Sequence, residues 1–254
     1  MQISKMITMN SIQSEIIRKI IHMIFTFLLL IPLSTPYKSL IGSMFSGFRN
    51  IDPTLLTYSI LLFVSAFINT IQIKMPYMRM PILSIFREYR KRILEYVSSS
   101  QANTPLGEIV KELDRIFSRY EDHLTSFIDR IERDYEKRYG YVSVTFALIS
   151  IFLSYALCGD DVYVGILALA ITDSVTSIVT ILDRRGRKLF KHTIKSYAIA
   201  FLVFAFLLVL ITKSVLISIL ISAISVVTEM LSPEDNLTIP LITTLAFSAL
   251  RGFS

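Results

Sequence analysis

The residues best suited to chemistry lie near the C-terminal end, in the run Glu229-Met230-Leu231-Ser232-Pro233-Glu234-Asp235-Asn236-Leu237-Thr238-Ile239-Pro240. It sets three carboxylates and an amide between two apolar stretches, 214–231 and 237–249. An ionised side chain dragged to the centre of a spanning helix costs roughly 2.5–3.5 kcal/mol. Acids at such an edge are kept because they pair, hold an ion or do chemistry. Asp173, between Thr172 and Ser174, is a second case, set inside the apolar stretch 162–182. Carboxylates suit Mg²⁺, which often binds through one or two of them plus substrate phosphates. Lysine and arginine suit the phosphates themselves.

These groups need elements to bring them together. Hydrophobic residues make up 53% of the 254-residue chain, against ~45–50% in soluble domains. Seven stretches are candidate spans: 20–33, 54–73, 141–158, 162–182, 197–212, 214–231 and 237–249. A span needs about 20 residues, so the first, fifth and seventh must borrow flanking residues. No small-residue cleavage site follows the first stretch, which argues against a cleavable signal peptide. The expected fold class is all-α: a polytopic membrane helical bundle of about seven transmembrane helices, with a cytosolic helical hairpin inserted.

Charge sets the orientation. Of 26 Lys and Arg residues, all but Lys38, Arg49, Lys213 and Arg251 fall before the first stretch, between the second and third, or between the fourth and fifth. With seven spans, the positive-inside rule puts that majority and the N-terminus in the cytosol, and the C-terminus outside. The net charge of +6 is then absorbed by a basic rim beside anionic headgroups and requires no nucleic acid. The expected localisation is a multi-pass membrane protein.

The insertion is different in kind. From Leu106, the residues Val110, Leu113, Phe117, Tyr120, Leu124, Phe127 and Ile131 step alternately by four and three, an a/d seam. A helical pattern of Ile82, Ile85, Phe86, Tyr89, Ile93 and Tyr96 precedes it, with a polar turn over 98–103 between. The organisation expected is 1–73 for two spans, 74–140 for the hairpin and 141–254 for the remaining membrane region. The hairpin over 81–138 is either a docking arm, for a partner or a homo-oligomer, or a pair of helices that is self-satisfied or lies on the transmembrane bundle. Cys158 is the only cysteine, so there is no intrachain disulfide. His22, His123 and His192 are too scattered in sequence to suggest a zinc site.

Under this topology one cytosolic mouth collects the polar groups. Glu15, Arg18, Lys19 and His22 open the first span. Arg187, Lys188, Lys191, Lys195 and Ser196 come from the loop after the fourth. Glu229 ends the sixth, and Glu234, Asp235 and Asn236 turn into the seventh. Asp173 lies two to three turns inside. Such a mouth suits bringing a soluble phosphorylated donor to a lipid head. Each element has an ordinary alternative: Asp173 as half of a structural ion pair, Glu229 reaching water, 184–195 as a membrane-rim anchor, Asp235-Asn236 as a turn and cap.

Three blocks in order resemble the CTP-dependent lipid kinases, which include dolichol kinase, phytol kinase and the CTP-dependent diacylglycerol kinase. Glu15-Ile16-Ile17-Arg18-Lys19-Ile20-Ile21-His22 is similar to the family's E-x-x-R-K-x-x-H opening. The stretch 168–178 around Asp173 looks like its G-D-a-x-a-s segment, followed by Arg185-Gly186-Arg187-Lys188 and Lys195-Ser196. Glu229 and Asp235-Asn236-Leu237-Thr238-Ile239-Pro240 are similar to its E…D-N-l-t-v-P. The blocks cover roughly 12–34 and 141–248. Thr172 stands where the family has glycine, and Lys195-Ser196-Tyr197-Ala198-Ile199 replaces its K-S-x-E-G.

The resemblance implies transfer of the γ-phosphoryl group of CTP to an isoprenoid alcohol, a dolichol or other polyprenol, with Mg²⁺ as cofactor and the active site on the cytosolic face. It implies catalytic roles for Asp173, Asp235 and Lys195. Arg18, Lys19, Arg187, Lys188, Ser196, Asn236 and Thr238 would hold nucleotide or phosphate. Asp173, Asp235 and Glu229 would hold metal, with Glu15 and His22 in support. Its partners would be CTP and a membrane lipid. Two alternatives stand beside it: a CTP-using lipid-phosphate cytidylyltransferase, and an inactive membrane scaffold working through the hairpin.

Overall fold

The structure is a computed structural model. It describes residues 2–44, 52–74, 88, 92, 142–183 and 185–252, with side chains from Ile12 onward. The chain divides into two units, Met1–Ala66 with Tyr141–Ser254, and Phe67–Gly140. Most of the second, including the hairpin expected over 81–138, lies outside the described residues, as does Arg184. Within the second unit, Arg92 donates to Glu88 at 2.7 Å across one exposed helical turn.

The first unit is helical. Helix α1, Gln2–Leu28, starts far ahead of the apolar stretch at 20–33 and carries Glu15, Arg18 and Lys19 before that stretch begins. A 3₁₀ turn at Ile31–Leu33 leads to a helix α2, Thr35–Met44, whose 10 residues are too few to span a bilayer. Helix α3, Pro53–Lys74, begins at a proline, which fits the first turn because its missing N–H has no partner there. Asp52 caps it, accepting from the Thr54 N–H at 2.7 Å and the Leu55 N–H at 3.2 Å. The Tyr155 hydroxyl donates to the other oxygen of Asp52 at 2.6 Å, tying α3 to the next helix.

That helix is α4, Val142–Cys158. A 3₁₀ turn, Gly159–Asp161, separates it from α5, Val162–Ala168. Gly159 takes a left-handed φ of 59°, open to glycine without a Cβ penalty. Ile151 and Tyr155 of α4 share a buried cluster with Val162 and Ile166 of α5 and with Tyr58. Lys38 pairs with Asp160 at 2.6 Å and Arg251 with Asp161 at 2.6 Å, gathering four charges at this turn.

After α5 the helix widens into a π-turn, Leu169–Asp173, and resumes as α6, Ser174–Leu182. A two-residue antiparallel ribbon follows, β1 Lys188–Leu189 with β2 His192–Thr193, pairing Lys188 with Thr193 and Leu189 with His192. Phe190 in its turn sits at φ 56°, an unusual setting for a bulky residue. Helices α7, Ile194–Thr212, α8, Val215–Leu231, and α9, Asp235–Gly252, complete the unit.

Among the described residues, four helical stretches are long and apolar enough to cross a membrane: Ile12–Leu33, Pro53–Lys74, Val142–Leu182 and Ile194–Thr212; α8 is apolar but shorter. This fits an all-α integral membrane protein. Helix α9 is less apolar, with Thr238, Thr243, Thr244 and an internal Pro240, and it packs against α4, α5 and α8. Its threonines at 243 and 244 are fully buried. Gly165 allows the closest approach: a Cβ there would collide with the Thr244 hydroxyl and the Pro240 carbonyl oxygen.

Candidate functional site

The site grows from two polar stripes. On α6 and the turn before it, Thr172, Thr176 and Thr180 recur every four residues, one face of a helix. On α8, Ser218, Ser222, Ser225 and Glu229 recur by four, three and four, and all are fully buried. The stripes meet in two successive rungs. The Thr172 and Ser225 hydroxyls share a hydrogen bond at 2.9 Å. One turn on, the Thr176 hydroxyl lies 3.2 Å from Glu229 Oε1, while also facing its own helix's carbonyls at Thr172 and Asp173. Both rungs keep the same sequence offset, so α6 and α8 run parallel.

Asp173 ends the π-turn, a feature common at functional sites. Helix α1 packs across it. Lys19 Nζ donates to both carboxylate oxygens of Asp173 at 2.8 Å, and His22 Nε2 stands 3.4 Å from Oδ2. Asp235 begins α9, where a carboxylate favours the positive helix end. Lys191, presented by the ribbon, donates to its Oδ1 at 2.5 Å. Burial pushes the Asp235 carboxyl up to about 6, with the neighbouring Asp173 and Glu229 charges adding to the rise and Lys191 opposing it.

Glu229 is fully buried, with His192 Nε2 2.9 Å from its Oε1. The His192 ring is fixed from its other side, Nδ1 lying 3.1 Å from the Thr180 hydroxyl, and it packs edge-on against Tyr197. Glu229 Oε2 is buried with no hydrogen-bond partner, as is Asn236 Oδ1. An unsatisfied buried acceptor costs about 1–3 kcal/mol, so such atoms favour a site that receives a donor or a cation.

One carboxylate oxygen each from Asp173, Glu229 and Asp235 lies within 4.8 Å of the others. Opposite oxygens around Mg²⁺ are roughly 4.2 Å apart, twice a metal–oxygen distance of ~2.1 Å. The donor set is all oxygen, hard, and holds an orphaned buried acceptor, which is the ligand chemistry a divalent cation of that kind takes.

The remaining residues fall into three groups. Thr238 and Asn236 shape the turn: Thr238 Oγ1 hydrogen-bonds Ser232 Oγ at 2.5 Å and the Glu234 carbonyl oxygen at 3.1 Å, and Asn236 donates to Glu234 at 2.9 Å. Ser196 is buried in the cap of α7, its N–H donating to Thr193 Oγ1 at 3.3 Å and its hydroxyl to the Thr193 carbonyl at 2.6 Å. Arg187, Lys188, Lys195 and Glu15 are exposed, and Arg18 is half-buried on α1. Among the described residues, Arg187, Lys188, Lys195 and Glu15 make no ion pair with the three carboxylates.

Sequence reasoning missed His192 and gave no role to Lys191, Thr176 or Thr180. The threonine periodicity and the serine stripe ending at Glu229 were available signals. The ribbon that turns Lys191 and His192 inward left no comparable trace. The chain matches no family model, no curated protein and no solved structure.

Proposed function

We propose that this protein is an integral membrane kinase that moves the γ-phosphoryl group of CTP to the hydroxyl of an isoprenoid alcohol of the dolichol or polyprenol type. The observation that carries this reading is the meeting of Asp173, Glu229 and Asp235, from three separate segments, with Lys19 and Lys191 on two of them. These acids and Lys19 belong to the three blocks that resemble the CTP-dependent lipid kinases. A site at the cytosolic end is supported by the basic ribbon lying beyond α6, with Asp160, Asp161, Lys38 and Arg251 clustering at the other end of the stretch 162–182.

Phosphoryl transfer is mostly positioning and charge neutralisation. Asp173, Glu229 and Asp235 would hold Mg²⁺, which supplies charge neutralisation of the phosphates. The lipid hydroxyl oxygen attacks the γ-phosphorus, the bond to the β,γ-bridging oxygen breaks, and CDP leaves. The hydroxyl proton passes to a carboxylate oxygen of the same cluster. Lys19 and Lys191 draw the phosphate oxygens toward the acids. The polyprenyl chain enters sideways between helices.

The test is purified full-length protein in lipid nanodiscs, given CTP labelled at the γ-phosphate and a panel of isoprenoid alcohols. Labelled lipid monophosphate with CDP is the expected result. Pyrophosphate with a CDP-lipid, from a lipid phosphate, would replace the kinase with a cytidylyltransferase.

A further inference from the structure

The three acids of the site are each met by a base from outside their own segment. Asp173 takes Lys19 of α1 on both oxygens, Asp235 takes Lys191, and Glu229 takes His192. Carboxylates crowded within 4.8 Å in a buried setting do not all ionise without nearby positive charge. The two ammonium groups supply it. A bare divalent cation arriving here must evict an ammonium or settle beside two of them. A cation that arrives on a polyphosphate brings anionic oxygens for the displaced lysines to hold.

We propose that Lys19 and Lys191 are exchangeable counter-cations, so that the site takes a divalent cation and a nucleoside triphosphate together as one ligand. The lysines leave the carboxylates for phosphate oxygens as the complex enters. This rests on the kinase reading of the same site and adds the order and coupling of its ligands. Three observations support it beyond the acidic cluster. Glu229 Oε2 is fully buried and unpartnered, so it stays open to a cation while the lysines remain on Asp173 and Asp235. The lysine ammonium is a point charge on a flexible stem, able to change partners without moving its helix. The side chain of Lys191 is 35% exposed and that of Lys19 15%, so Lys191 is the readier to swing.

The experiment uses the purified full-length protein in detergent and Mn²⁺ alone as the probe, with bound metal read by electron paramagnetic resonance. The same titration is repeated with β,γ-methylene-CTP. In the parent protein, Mn²⁺ alone binds weakly and the analogue tightens it at least about tenfold, near 1.4 kcal/mol. Lys19→Gln and Lys191→Gln each bind Mn²⁺ alone at least about tenfold more tightly than the parent, and lose most of the analogue's effect. Glu229→Gln removes binding in every background. If both glutamine variants bind Mn²⁺ no better than the parent, or if none binds it, the exchange is wrong. Should Lys19→Gln fail to fold, the more exposed Lys191→Gln carries the test. Coupled binding with no transfer to any alcohol would sink the kinase and leave the exchange standing. Transfer with unaltered metal affinity in the variants would do the reverse.

Discussion

At the residue scale the proposed function rests on the acids. Asp173→Asn and Asp235→Asn keep side-chain size and remove charge. Each is expected to lower turnover of CTP and polyprenol at least about 100-fold, roughly 2.7 kcal/mol of barrier, in steady-state assays on inserted protein. Loop lysines separate sharply. Lys191→Ala removes a direct partner of Asp235, whereas Lys195 is exposed and makes no ion pair among the described residues. The Lys191 variant should therefore raise the KM for CTP far more than Lys195→Ala; the opposite ranking would restore the assignment made from sequence. Titration of Asp235 gives a signed test. Its carboxyl is raised from 3.8 to about 6, first by burial, so the folded state resists ionising it. That cost to stability is absent below the unfolded value and complete above about 6. Melting temperature of the metal-free protein should fall as pH rises from 4 to 7, and Asp235→Asn should flatten the slope.

Elements set these residues in place by close contact rather than by apolar surface alone. Thr172 illustrates the point: where the resembled family has glycine, this chain has a buried hydroxyl bonded to Ser225, which holds the turn before Asp173 against α8. The Gly165 contact is the other fixed point. Its missing Cβ lets α9 bring Pro240 and Thr244 against α5, and so sets where Asp235 stands one and a half turns earlier. The obstructing atoms include backbone, which yields little. Gly165→Ala should destabilise by about 1–3 kcal/mol, read as a lower thermal unfolding midpoint, and should cost activity through displacement of Asp235. An alanine variant with parent stability would mean the helices separate freely.

For the whole molecule, the prediction is topological. The ribbon and the Gly159–Asp161 turn lie beyond opposite ends of the stretch Val162–Leu182, and the basic residues are split just as unevenly. In a Cys158→Ser background, Lys188→Cys should react with an impermeant thiol reagent only after cells are opened, and Gly252→Cys on intact cells. Labelling of Lys188→Cys on intact cells would invert the orientation and move the site away from cytosolic CTP.

The sequence by itself determined the class and named all three acids of the cluster. Long apolar stretches have few stable settings other than a bilayer, and an acid inside one, such as Asp173, announces itself by its cost. It also put Glu229, Asp235 and Lys19 among the candidates. It was weaker where apolarity and position part company: α9 packs against α4, α5 and α8 yet carries threonines, because the face it buries holds Thr243 and Thr244 while Ile242 and Leu245 stay exposed. Tertiary structure alone decided the partners. Lys19 and Asp173 are 154 residues apart, Lys191 and Asp235 44, and neither pairing follows any helical period. Charge is long-ranged and tolerant of position, so a sequence shows that cations and acids share a mouth. Which ammonium meets which carboxylate depends on packing at the ångström scale, here on a π-turn, a two-residue ribbon and one glycine.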